Sequence, residues 1–164
     1  MLLTRPALPT QSELAEAVRP VHVRLASGRS FTMRLRPDVA PLLSVRFLRL
    51  VNAGYYNGLT FHRNVPNFVI QGGSPHANEY SGNGPFVHDE IGLLGNVRGS
   101  VGLSTRGRDT GDAQIFVNLV DNARLDFDYT VFAMVDPGDM DVVDAIVEGE
   151  TIRTIEFEKK KDEK

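Results

Sequence analysis

Apolar and polar residues alternate along two neighbouring stretches near the start of the chain. Val21, Val23 and Leu25 are separated by polar residues, and so are Phe31, Met33 and Leu35. Ser27-Gly28-Arg29 lies between them, so the pattern predicts a β-hairpin. The period then changes. Leu43, Phe47, Leu50 and Val51 share one helical face, which predicts a helix over Ala40–Asn52 with Asp38 as its cap, Pro41 in its first turn and Gly54 beyond its end. After Gly54 short apolar runs recur at Leu59–Arg63, Phe68–Gln71, Val101–Ser104, Ile115–Val120 and Thr130–Val135, separated by Gly, Asn, Asp and Pro clusters. A second helix is expected over Met140–Val147, and a last strand over Ile152–Phe157, where Ile152 and Ile155 break strict alternation. Residues 74–97 are Gly-rich and aperiodic. They read as extended loops, which in a compact domain are often functional.

This reading gives about eight strands and two helices. Strands so short and so numerous point to a closed barrel, which removes exposed edges, with amphipathic helices at its open ends. Residues 1–17, with Pro6 and Pro9, read as an irregular lead-in. Residues 18–158 form the domain, and residues 159–164, rich in lysine, are expected to be a frayed, solvated tail.

Composition narrows the classes of function. The 164 residues suit one domain, and 41% hydrophobic with 24% charged residues is an ordinary globular balance. A net charge of -3 argues against a nucleic-acid partner, which needs a basic face. The absence of cysteine excludes disulfides, thiolate catalysis and zinc–thiolate sites. No apolar run approaches the roughly 18 residues of a membrane span. The opening Met1–Pro6 is too short to serve as a signal peptide, so a cytoplasmic protein without membrane contact is expected. A monomer is expected as well.

Several constellations carry no chemistry. His22, His62, His76 and His88 lack metal-ligand spacing. Asp109/Asp112 and Asp126/Asp128 fall in turn-rich segments, where Asp is a common turn former. Ser100 and Ser104 flank glycines without a nucleophile elbow, and Gly95, Gly99 and Gly102 match neither a dinucleotide nor a phosphate-binding loop. No cofactor is implied.

Two segments do carry a signal. The first is Phe61-His62-Arg63-Asn64-Val65-Pro66-Asn67-Phe68-Val69-Ile70-Gln71-Gly72-Gly73. The second runs from Gly99-Ser100-Val101-Gly102-Leu103-Ser104 through Asp109-Thr110-Gly111-Asp112-Ala113-Gln114-Ile115-Phe116-Val117-Asn118. The first resembles the Phe-His-Arg-x-x-Pro-x-Phe-x-x-Gln-Gly-Gly signature of cyclophilin-type peptidyl-prolyl cis/trans isomerases, in their bacterial-like form. The second resembles that family's stretch ending in a Gln-x-Phe strand, and Leu125-Asp126 with Tyr129-Thr130-Val131-Phe132 resembles the stretch that follows. The resemblance runs in order from about Val21 to Phe157. It implies an eight-stranded antiparallel β-barrel capped by two α-helices, acting on proline-containing peptides and flexible protein segments and assisting folding. The alternative is a non-catalytic Pro-peptide binding module or chaperone on the same fold.

The resemblance also implies roles. Arg63 is the catalytic cation, and Gln71 orients it. Phe68, Val69, Phe116, Leu125 and Tyr129 line a proline pocket. Gln114 contacts the substrate backbone, Thr105 holds it through main-chain groups, and Arg106 borders a neighbouring side-chain pocket. On one regular strand, Phe61 and Arg63 point the same way and His62 the other. Gly72 and Gly73 allow close backbone approach. The chain also departs from the family. Arg124 stands where many members have the Trp that strengthens cyclosporin binding, so weak cyclosporin binding is expected. Tyr129 replaces a more familiar His, and Val69 a Met. Arg106, with Arg108 and Asp109, either biases substrates toward acidic residues before proline or consists of solvated loop charges.

Overall fold

The computed structural model describes residues 7–160. The hairpin forms as expected from β1 (Val21–Leu25) and β2 (Ser30–Leu35), paired with Val23 opposite Phe31. Gly28 turns between them at φ +89°, a conformation that only glycine adopts freely. β3 (Thr60–Phe61), β4 (Arg63–Val65), β5 (Val69–Gly72), β6 (Ser100–Leu103), β7 (Ile115–Asn118), β8 (Val131–Val135) and β9 (Glu150–Phe157) complete an antiparallel sheet in the order β3-β9-β1-β2-β8-β6-β7-β5-β4. Its two edges, β3 and β4, are halves of one segment separated only by His62. The sheet therefore wraps into a nearly closed barrel, and counting β3 and β4 as one interrupted strand reduces the nine strands to the expected eight.

The interruption at His62 corrects the expected alternation. Phe61 is buried in the barrel interior, tilted against Phe31 at 6.5 Å between ring centroids. Arg63 instead faces a cavity on the outside of the barrel. Both nitrogens of the His62 ring are buried without a partner, and burial lowers its pKa below the ordinary histidine value.

Three helices are present among the described residues: α1 (Gln11–Ala17), α2 (Pro41–Asn52) and α3 (Met140–Asp144). α2 drives Phe47 into the core between Tyr56 and Phe132, at 5.2 and 5.4 Å between centroids. Its cap is not Asp38, which is held by Arg36 at 2.8 and 2.6 Å. The carboxylate of Glu90 accepts the N–H groups of Leu42 and Leu43 instead, both at 2.9 Å. Burial raises the Glu90 pKa, and the two N–H donors oppose that rise. Glu90 thereby anchors the aperiodic 74–97 stretch to the barrel.

α1 corrects the irregular lead-in over residues 11–17. Thr10 and Glu13 form a reciprocal capping box, Ala17 is fully buried, and Glu13 receives Arg49 of α2 at 2.7 and 2.9 Å. The rest of that lead-in, residues 1–6, and the tail residues 161–164 lie outside the described residues. α3 stops three residues before Val147, and β9 begins two residues before Ile152.

Candidate active site

The register of four strands assembles the site. Arg63 of β4 is paired with Gln71 of β5, Gln71 with Phe116 of β7, and Phe116 with Gly102 of β6. Direct cross-strand partners share a face, so these four residues form one row across the barrel wall. Ile70, Val101, Leu103, Ile115 and Val117 alternate with them and fill the interior. The row faces outward, and its Arg63, Gln71 and Phe116 line a cavity of about 270 Å³.

Glycine makes room for the aromatic floor. A Cβ on Gly102 would stand 2.3 Å from the tip of the Phe116 ring, so the ring lies over bare backbone. Tyr129 meets Phe116 edge-on at 5.6 Å and 88°, a favoured aromatic geometry. Gly72 and Gly73 are equally confined: a Cβ would come within 2.8 Å of Phe61 and 2.9 Å of Tyr56, respectively.

Leu125 is carried by a single 3₁₀ turn, Ala123–Leu125. A buried amide chain ties that turn to the wall. Asn122 donates to the Phe68 carbonyl at 3.0 Å and to Asn118 Oδ1 at 2.7 Å, and Asn118 donates to Ser100 Oγ at 2.8 Å. Phe68 is thereby placed on the cavity rim, with the Arg124 guanidinium 4.4 Å above its ring.

The polar end of the cavity is built around Arg63. Its Nη1 donates to Gln71 Oε1 at 3.1 Å. The Gln71 amide donates in turn to Ser104 Oγ at 3.1 Å and to Gln114 Oε1 at 2.8 Å. Arg63 is about one-third exposed, so it can meet a bound molecule without leaving its partners.

A sequence profile described as "Cyclophilin type peptidyl-prolyl cis-trans isomerase/CLD" matches residues 21–162, nearly the whole chain. The chain belongs to the cyclophilin-type isomerase family. A peptidyl-prolyl cis-trans isomerase of Helicobacter pylori is 37% identical over 121 residues, covering 72% of this chain and 74% of that protein. Peptidyl-prolyl cis-trans isomerase B of Bacillus subtilis is 36% identical over 118 residues, covering 70% and 81%. Among solved structures, a cyclophilin-type isomerase of Cryptosporidium parvum, crystallised in the presence of the dipeptide Ala-Pro, superposes with a TM-score of 0.78. It is 22% identical, with 87% of this chain and 100% of that chain covered.

In this cyclophilin-type chain, Arg63, Phe68, Val69, Gln71, Thr105, Arg106, Phe116, Leu125 and Tyr129 all line the one cavity. Gln114 does not. It is buried under the 78–81 turn on the outer face of the wall, and its amide is spent on the carbonyls of Asn78, at 2.9 Å, and Ser81. Gln114 thereby links Gln71 to the 78–81 turn. Arg108 also stands off the cavity, against Asp128 at 3.4 Å and Asp89 at 3.9 Å. Arg106 reaches the cavity, but its Nη1 donates to the Glu79 carbonyl at 2.9 Å.

Three further residues line the cavity without having been expected there: Glu79, Tyr80 and Ser104. Ser104 was visible only as a rejected nucleophile; it serves as a hydrogen-bond partner of Gln71. Glu79 and Tyr80 lie in the aperiodic 74–97 stretch, where the only signal was that long structured loops often carry function. No helix among the described residues is long and apolar enough to cross a membrane.

Proposed function

We propose that this isomerase rotates X–Pro bonds by holding the proline ring against Phe116, Phe68, Val69, Leu125 and Tyr129 while Arg63 acts on the twisting amide. The reaction breaks no bond. Ordinary amide rotation has a barrier of about 18–20 kcal/mol, and uncatalysed prolyl isomerisation takes roughly tens to hundreds of seconds. An acceleration of ~10⁵-fold requires roughly 7 kcal/mol of transition-state stabilisation.

The residues around the cavity can supply it in two ways. The apolar wall fixes the ring so that the preceding carbonyl swings alone. As resonance is lost, the proline nitrogen turns pyramidal and regains a lone pair. A guanidinium donating near that nitrogen then binds the twisted amide better than the planar one, and this difference is catalysis. Arg suits the task because it stays charged and its donors are rigid.

The observation that carries this reading is the single row Arg63–Gln71–Phe116–Gly102, which sets a braced cation beside an aromatic floor. Thr105 is proposed to hold the substrate backbone in extended form through its main chain. The partners proposed are proline-containing peptides and flexible protein segments, in keeping with the Ala-Pro dipeptide of the Cryptosporidium relative, and the cellular role is assistance of folding.

The test is two-dimensional exchange NMR on an Ala-Pro peptide with catalytic amounts of protein. Exchange cross-peaks well above the spontaneous rate support the reading. Peptide shifts that titrate with protein while exchange stays at the spontaneous rate would establish a binding module instead.

A further inference from the structure

Gln71 is not the only group on Arg63. Glu79 Oε1 lies 3.0 Å from Arg63 Nε. The two contacts fall at different nitrogens: Gln71 at Nη1 and Glu79 at Nε. A planar guanidinium touched at one nitrogen can still swing about that contact. A carboxylate at a second nitrogen narrows that swing. Neither contact uses Nη2.

The loop that carries Glu79 is fastened independently of this ion pair. Arg106 holds the Glu79 carbonyl at 2.9 Å. Asn78 Oδ1 accepts the N–H groups of Tyr80 and Ser81, each at 2.9 Å. Gln114 donates to the carbonyls of Asn78 and Ser81 on either side of Glu79. Gln114 also accepts from Gln71 at 2.8 Å. A closed polar ring results: Arg63 to Gln71, Gln71 to Gln114, Gln114 to the 78–81 turn, and Glu79 back to Arg63. One buried glutamine thus sets the position of both groups that touch the cation.

The Glu79 side chain is about half exposed, and an ion pair so wet adds little to folding. The turn does not need it. What the carboxylate changes is the guanidinium. We infer that Glu79 is a positioning residue for isomerisation: with Gln71 it clamps the Arg63 guanidinium from a second edge and leaves Nη2 directed at the substrate amide. Gln114 is the brace that sets both arms of the clamp. This inference rests on the isomerase reading of Arg63.

The sign of the effect separates it from its opposite. A carboxylate that merely blocked Arg63 would slow the enzyme, and its removal would speed turnover. A clamp gives the reverse. Glu79→Ala is expected to lower kcat by roughly three- to tenfold, as for a catalytic group left free to wander, with KM changed by less than about twofold. Glu79→Gln keeps an oxygen acceptor and is expected to restore most of the loss. In an Arg63→Ala background, Glu79→Ala should have no further effect on kcat.

A second readout needs no turnover. In ¹⁵N spectra of the intact protein, the Arg63 Nε–H signal is expected to be sharp and distinct in the wild type, broadened in Glu79→Ala and largely recovered in Glu79→Gln. Unchanged or raised kcat in Glu79→Ala, an equal loss in the Arg63→Ala background, or an unaltered Nε–H signal overturns the inference. If the wild type shows no catalysis, the isomerase reading fails, and the Nε–H signal alone still decides whether Glu79 clamps Arg63.

Discussion

Adding one methyl group at Gly102 tests how tightly the aromatic floor is set. Gly102 needs no left-handed backbone, so Gly102→Ala introduces no strain of its own; the conflict is with the Phe116 ring. The new Cβ would lie 2.3, 2.7 and 2.9 Å from ring atoms Cζ, Cε1 and Cε2. Carbon atoms prefer about 3.5–4.0 Å, so the ring tip must retreat by about 1.2 Å or more. It can go only toward Tyr129 and the cavity, because β6 lies beneath it. Overpacking of this kind costs about 1–3 kcal/mol, which for a chain of this size lowers Tm by roughly 2–12 °C. A misplacement of about 1 Å in an active site can cost up to ~10²-fold in rate, so a loss of roughly 10- to 100-fold in kcat/KM is expected. The assays are exchange NMR on an Ala-Pro peptide and a thermal scan. All three clashing atoms belong to the far end of the ring, which leucine lacks. Phe116→Leu in the Gly102→Ala background should therefore be no less stable than Phe116→Leu alone, while activity stays low. Gly102→Ala with wild-type kcat/KM would refute the claim that the ring position matters.

Three further outcomes follow from the same geometry. Arg124 covers the rim face of Phe68, so cyclosporin should inhibit weakly, at micromolar concentrations or above, and Arg124→Trp should tighten inhibition; nanomolar inhibition of the wild type would contradict this. The Arg49 hydrogen bond, more than any other contact, holds Glu13 down to about 2, below the ordinary 4.5. Its contribution to stability is therefore complete above pH 4.5 and lost as pH falls from there toward 2. The Tm of Glu13→Gln should fall less steeply than that of the wild type across this window, and parallel Tm curves would count against the docking of α1 by this pair. Glu90→Ala should lower stability by about 1–2 kcal/mol, the typical worth of a lost cap; a thermal scan within error of the wild type would show that the first turn of α2 does not need that carboxylate.

The hairpin, α2 and Arg63, Gln71 and Phe116 of the row were legible because each rests on short-range periodicity or on a fixed motif. What escaped did so for physical reasons. Thr10 and Glu13 had the spacing of a capping box, but Pro6 and Pro9 drew the reading toward an irregular segment. Asp38 had the right local position for a cap, whereas the carboxylate that does the capping comes from Glu90 through the fold. Arg63 and Phe61 shared a parity that the break at His62 cancels. Gln114 had the residue type for a substrate contact, and only the path of the 78–81 turn shows that its donors go to that turn. Glu79 lies in an aperiodic loop, where no spacing rule relates it to a strand.

The central claim is that Arg63 stabilises the twisted amide, and one comparison tests it most directly. Exchange NMR on the same Ala-Pro peptide, at equal concentrations of wild type and Arg63→Ala, should show clear catalysis by the first. The second, with its fold verified by circular dichroism, should lose at least about tenfold, equivalent to about 1.4 kcal/mol of transition-state stabilisation. An Arg63→Ala protein that isomerises as fast as the wild type would contradict the account.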